Sequence, residues 1–267
     1  MKFDLKKPIP LDDLGLIARH VDVRRLQSMR GIITGCEGWF GTWLCAALDH
    51  MGCEYDKLDM RDPHPVEGDY CIHLAKGELS GLIDVLREAQ VKHVLFTSSG
   101  AVYDMKPSPI QVEKCENEEL FINSGLPVNI ARVFTVIGGG VCQRPLAVGA
   151  YIKSCLNNEP IKVYSGGRSM RSYIYMADLV IWLLNILFAE VGVYDVGGAK
   201  AVTMLDLAHR VADCVGGNQS IEVIDSDPYN DPHPIYKPNT SKAKALGLEH
   251  YTDLDTALAK TIEWERP

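Results

Sequence analysis

Gly35, Gly38 and Gly41 stand three residues apart in TGCEGWFG, directly after the apolar run GIIT and before a stretch rich in Leu and Ala. A glycine at a strand exit permits a tight turn, a second brings backbone N–H groups close to an anion, and a third lets helix and sheet approach. The N-terminus of the following helix adds a partial positive charge. The chemistry this spacing suits is the holding of a pyrophosphate, and in a strand, turn and helix context that points to a dinucleotide. Such sites use an acid after the second strand to receive a ribose hydroxyl. Glu54, Asp56, Asp59 and Asp62 offer themselves in GCEYDKLDMRD, with Asp59 preferred and the rest read as a solvated connecting surface. No basic cluster accompanies them, which favours NAD over NADP. The same segment is too compressed for two strands and an intervening helix.

Positioning this turn requires a sheet covered on both faces. Short apolar runs (GIITG, CIHLA, HVLFTSS, VNIARVF) alternate with helical stretches at 40–50 and 79–90, the pattern of a parallel sheet with helices on either side. Beyond Gly138 the order loosens. Helices are expected at 147–156, 177–188, 204–214 and 254–264, strands at IKVYS and VYDVGG, and N-caps at Thr203 and Thr252. Residues 225–239, rich in Asp, Pro and His, read as an ordered wrapping segment, and LGLIARHVDVRRLQ near the start as a packing helix.

Composition narrows the partners. A net charge of −8 in 267 residues weighs against nucleic acid while permitting a small anionic ligand. Eight cysteines without a CxxC pair read as reduced core residues, so no metal site is expected. Without a signal-like or membrane-length apolar run, a cytoplasmic location and no membrane partner are the expectation.

TGCEGWFG, LDMRD, IHLA, TSSGAVYD, IARVF, MRSYIYMADL and TSKAKALGLEHYTDLDTALAKTIEW span roughly residues 31 to 265. Together they resemble the extended short-chain dehydrogenase/reductase family, especially the NAD-dependent sugar-nucleotide epimerases and dehydratases. The resemblance implies an α/β fold, a Rossmann-like doubly wound parallel sheet with a small C-terminal substrate lobe. On this chain that gives an N-terminal extension at 1–30, a dinucleotide-binding core at 31–137, and a mainly substrate-binding lobe at 138–267, with 172–200 returning to the core. A homodimer through the helices at 79–90 or 114–123 is implied as well.

The resemblance also assigns residues. Trp39 and Phe40 join the three glycines at the cofactor turn; Met60 follows Asp59 on the adenine side; Leu74, Ala75 and Lys76 mark the strand end beside the nicotinamide, with Ser98 and Phe134 near it. Ser99 would hydrogen-bond the reacting sugar hydroxyl, Lys114 would hold the nicotinamide ribose, and Arg171 would grip the diphosphate, with Arg144 and Arg168 assisting and Thr135 as a weaker substrate contact. The family places a tyrosine four residues before its lysine, whose lowered phenol pKa lets it move the hydroxyl proton. Here that position is Ile110, which exchanges no proton. Tyr103 in AVYD is the nearest replacement. Asp104, Glu113 and His73 are further acid or base candidates, although His73 reads better as a satisfied core residue.

The leading reading is thus an NAD-dependent epimerase or dehydratase that oxidises a nucleotide-diphosphate sugar at C4. Two alternatives stand beside it: a catalytically impaired binding protein for NAD or a sugar nucleotide, and a keto-sugar reductase with a rebuilt proton relay.

Overall fold

The computed structural model describes residues 3, 5, 7–61, 64, 66–77, 79–103, 109–226 and 235–267. The chain begins with α1 (Leu11–Arg19) and α2 (Val23–Gln27), then alternates through β1 (Gly31–Thr34), α3 (Trp39–His50), β2 (Tyr55–Leu58), β3 (Tyr70–His73), α4 (Ser80–Glu88), β4 (His93–Ser99), α5 (Pro109–Ile122) and β5 (Val128–Val133). It continues through β6 (Thr135–Ile137), α6 (Ala147–Leu156), β7 (Ile161–Val163), β8 (Met170–Tyr175), α7 (Met176–Ile186), β9 (Val193–Val196), β10 (Ala201–Thr203), α8 (Met204–Cys214), β11 (Ile221–Val223), β12 (Ile235–Tyr236), α9 (Ser241–Ala245) and α10 (Leu254–Glu265).

Six strands form one parallel sheet in the order β2-β1-β3-β4-β5-β9. β1, β3 and β4 carry almost nothing but buried side chains, as a strand with helices over both faces must. Strand order reverses between β1 and β3, and an open parallel sheet offers its ligand crevice at that switch point, outside the carboxyl ends of the strands. Among the described residues no strand or helix lies between β2 and β3. The six-strand dinucleotide sheet places one more strand beyond β2; here β2 is the edge, in keeping with the compressed sequence that follows it.

The smaller lobe is built on β8, which lies between β10 and β12 and also pairs β6, with β7 and β11 as a separate parallel pair. α7 passes from this lobe back against the large sheet and buries almost every residue it has, including Trp182. On its far side α1 packs across α3 and α7, with Ile17 fully buried. The buried carboxylate of Asp13 in α1 takes the Tyr175 hydroxyl at 2.7 Å and the Lys260 ammonium at 2.5 Å, tying the N-terminal helix to β8 and α10. The segment expected as one helix near the start is two. The chain turns at His20 and Val21, and Asp22 then starts α2 by capping the Arg25 N–H.

Thr203 caps α8 by accepting the Asp206 N–H, as its position in the sequence suggests. At α10 the cap is Asp253 rather than Thr252. The Thr252 N–H is instead drawn, with that of Tyr251, to the buried carboxylate of Asp178 in α7. That carboxylate therefore orients the turn before α10, and burial pushes its pKa up to about 7 despite the two N–H donors. Residues 227–234 of the expected wrapping segment lie outside the described residues; its described end, 235–239, runs along β8 and past β9. No helix among the described residues is long and apolar enough to cross a membrane.

Candidate functional site

The glycine turn sits at the switch point. Gly35 has φ +73°, in the left-handed region, and a Cβ there would lie 2.6 Å from the Ala75 nitrogen, so the turn and the end of β3 meet at a distance only glycine allows. A Cβ on Gly41 would overlap the Gly35 carbonyl oxygen. Gly38 is the N-cap of α3 and offers no side chain to its first N–H groups, which leaves the positive end of the helix to a ligand. These features fit the pyrophosphate of a dinucleotide.

Around the turn, Trp39 is buried and donates its indole N–H to the Gly139 carbonyl at 2.8 Å, while Phe40 packs at its side. Arg144, from the loop after β6, places its guanidinium 6.0 Å from the Trp39 ring centre, which brings it to the glycine turn. Asp59 follows β2, whose Leu58 is in register with Thr34 of β1. Arg61 grips Asp59 at 2.5 Å and holds its carboxyl down at about 2; Met60 between them is half-buried, and Asp62 lies outside the described residues. Leu74 and Ala75 are tied to Thr34 through its carbonyl and hydroxyl, and Lys76 is exposed beyond them.

His73 is fully buried, with Nδ1 2.7 Å from the Thr34 hydroxyl. Burial first, and the Lys114 charge second, push its pKa down to about 3, so it is a neutral core group. Lys114 reaches from α5 to the Thr97 carbonyl at 3.1 Å and lies 5.0 Å from the Phe96 ring centre. Burial lowers its pKa against the pull of Glu113 and Glu118. Glu113 accepts the Gly77 N–H. Ser99 accepts the Ala101 N–H at 3.2 Å, and the buried Ser98 hydroxyl has no hydrogen-bond partner among the described residues.

Ile110 occupies α5 four positions before Lys114; its side chain, like Asp104, lies outside the described residues. Tyr103 ends the short turn after β4, half exposed, and donates its hydroxyl to Asp195 at 2.8 Å. Its pKa is raised, by burial and by Asp195, against the opposing Arg132. Among the described residues no hydrogen bond joins Tyr103 to Lys114, so the phenol does not have the ammonium partner that would lower it. Phe134 packs against Gly100, stands 6.3 Å from the Tyr103 ring and 4.6 Å from that of Tyr236. Arg171 sits 5.6 Å from the Tyr236 ring centre and donates to the Met170 carbonyl; Thr135 opens β6 beside Tyr173, and Arg168 pairs with Asp225 at 3.7 Å.

The structure thus brings Trp39, Arg144 and Ala75 to the glycine turn, and links Tyr103, Phe134, Tyr236 and Arg171 in a chain of ring contacts. Sequence reasoning missed Asp195, Arg132 and Glu118. Their signal was a charge inside an otherwise apolar strand, in VYDVGG and in VNIARVF, and an acid one helical turn after Lys114.

No protein-family model matches the chain. UDP-glucuronic acid decarboxylase 2 of Arabidopsis thaliana is 31% identical over 151 residues, covering 52% of this chain; the match spans 34% of that relative, about a third of its length. UDP-glucuronic acid decarboxylase 6 of the same plant is 25% identical over 281 residues, covering 88% of this chain and 81% of the relative. A solved UDP-glucose 4-epimerase of Thermus thermophilus, in complex with NAD, superposes with a TM-score of 0.72 at 18% identity, covering 88% of this chain and 98% of that one. The chain thus shares its fold with that solved UDP-glucose 4-epimerase and is similar along most of its sequence to the plant UDP-glucuronic acid decarboxylase 6.

Proposed function

We propose that the chain binds NAD and acts on a nucleotide-diphosphate sugar through oxidation at C4, as an epimerase or dehydratase. The observation that carries this reading is the coincidence of the glycine cradle with the strand-order switch point, where Gly35 meets Ala75. When bound, the nicotinamide would supply the hydride acceptor. The chain's own residues would do the rest. The glycine turn and the α3 N-terminus hold the pyrophosphate, Asp59 and Lys114 the riboses, Ser99 the reacting hydroxyl, and Arg171 with Arg144 the sugar diphosphate. Tyr103 is the residue offered for proton transfer. A homodimer through α4 or α5 and a cytoplasmic location belong to the same reading; a solution mass of one chain would remove the dimer.

The test is incubation with NAD and a panel of UDP-sugars headed by UDP-glucuronic acid, the sugar in the names of the plant relatives. Appearance of a new sugar nucleotide by NMR supports the reading, and an unchanged panel in the presence of bound NAD contradicts it. That second outcome would favour a binding protein without turnover, which Ile110 and the lack of a Tyr103–Lys114 bond among the described residues support. Turnover only of keto-sugars with reduced dinucleotide would favour a reductase.

A further inference from the structure

The register of the large sheet sets Ser98, Arg132 and Asp195 side by side on β4, β5 and β9. Neighbours in parallel register point to the same face. On that face Arg132 pairs with the buried Glu118 of α5 at 2.6 Å, and its guanidinium carbon lies 4.7 Å from the Tyr103 ring centre. The Tyr103 hydroxyl donates to Asp195 Oδ1 at 2.8 Å, and Asp195 Oδ2 accepts the Asn239 N–H at 2.9 Å. The phenol is therefore fixed at its ring and its oxygen, and the carboxylate is held from a second direction. Tyr103 is 50% exposed, so water could satisfy its hydroxyl and no buried polar group demands this bond. A phenol that donates to a carboxylate keeps its oxygen lone pairs for another donor.

We propose that Asp195 is a positioning residue that orients Tyr103 and receives its proton, making Tyr103 a relay in place of the tyrosine missing at position 110. The inference rests on the reading of the chain as a sugar-nucleotide oxidoreductase. In the step, the substrate hydroxyl proton passes to the Tyr103 oxygen as the Tyr103 proton passes to Asp195 Oδ1. The substrate C–H bond breaks with its electron pair, which leaves as hydride to an oxidised nicotinamide dinucleotide, and the C–O bond becomes a carbonyl. Return of hydride reverses each transfer, so Asp195 ends as it began.

The experiment compares Asp195→Asn, Asp195→Glu, Tyr103→Phe and the double variant Tyr103→Phe/Asp195→Asn, each checked for a native melting transition. Without cofactor, ultraviolet titration of the phenol, with Tyr103→Phe as the blank, is expected to show Tyr103 ionising at lower pH in Asp195→Asn, because a neighbouring negative charge is gone. In turnover, Asp195→Asn and Tyr103→Phe are each expected to lower kcat about 100-fold with KM within about two-fold, the double variant no further, and Asp195→Glu to recover part. Full kcat in Asp195→Asn alongside a damaged Tyr103→Phe overturns the role of Asp195 and leaves the functional reading standing. Full kcat in Tyr103→Phe overturns the relay. A wild type that binds dinucleotide and turns over nothing overturns both.

Discussion

Tyr103 and Asp195, 92 residues apart in the chain, meet at 2.8 Å, and the same carboxylate holds the Asn239 N–H. The end of β4 and the segment leading from β12 to α9 thus share one anchor on β9. Asp195→Ala is expected to speed hydrogen exchange at the Asn239 amide about ten-fold or more while leaving the amides of β4 unchanged. Equal exchange in both proteins would show that the anchor does not order that segment.

Gly41 is the position where the cradle tolerates least. Because a Cβ there meets backbone rather than a flexible side chain, α3 must move away from the turn. Gly41→Val is expected to weaken dinucleotide binding by at least about ten-fold and to cost about 1–3 kcal/mol of stability. Calorimetric titration and thermal unfolding read the two effects separately.

Lys114 separates binding from folding. Lys114 is half-buried, and its ammonium donates to the Thr97 carbonyl and has its pKa lowered by burial. A pKa lowered by burial means that folding disfavours the charge, a cost an apolar side chain of similar length does not carry. Lys114→Met is therefore expected to melt no earlier than the wild type and to bind dinucleotide about ten-fold more weakly. Unchanged affinity would remove Lys114 from the ribose.

Two buried groups oppose each other with pH. Asp178, raised to about 7, holds a proton in the folded state that the unfolded chain releases near pH 4, so its contribution falls as pH rises across that window. His73, lowered to about 3, lacks in the folded state a proton that the unfolded chain takes up near 6.5, so its contribution falls as pH drops through the same range. Between about pH 4 and 6.5 the two slopes, about 1.4 kcal/mol per pH unit each, cancel. Asp178→Asn is expected to uncover a stability that rises with pH there, read from denaturant midpoints; an unaltered pH dependence would show that Asp178 titrates normally.

The glycine turn and the strands were legible because their information is local: glycine spacing, apolar runs, and the caps at chain turns. Asp195 was not, because its meaning depends on sheet order, which puts β9 beside β5 and brings an acid from far along the chain to Tyr103. The cap at α10 was misplaced by one residue for a similar reason. Thr252 has the right chemistry for an N-cap, but its backbone is held by Asp178 from a different helix, and Asp253 takes the cap. Among the described residues β2 is the single strand between α3 and β3, in line with a stretch at 52–62 too short for two strands and an intervening helix.

Every role proposed for the crevice requires a dinucleotide held at the Gly35–Ala75 contact. Calorimetric titration of the purified protein with NAD tests this most directly. One NAD per chain, bound more tightly than NADP and weakened by Gly41→Val, is the predicted result. A folded wild type that takes up no NAD would contradict it.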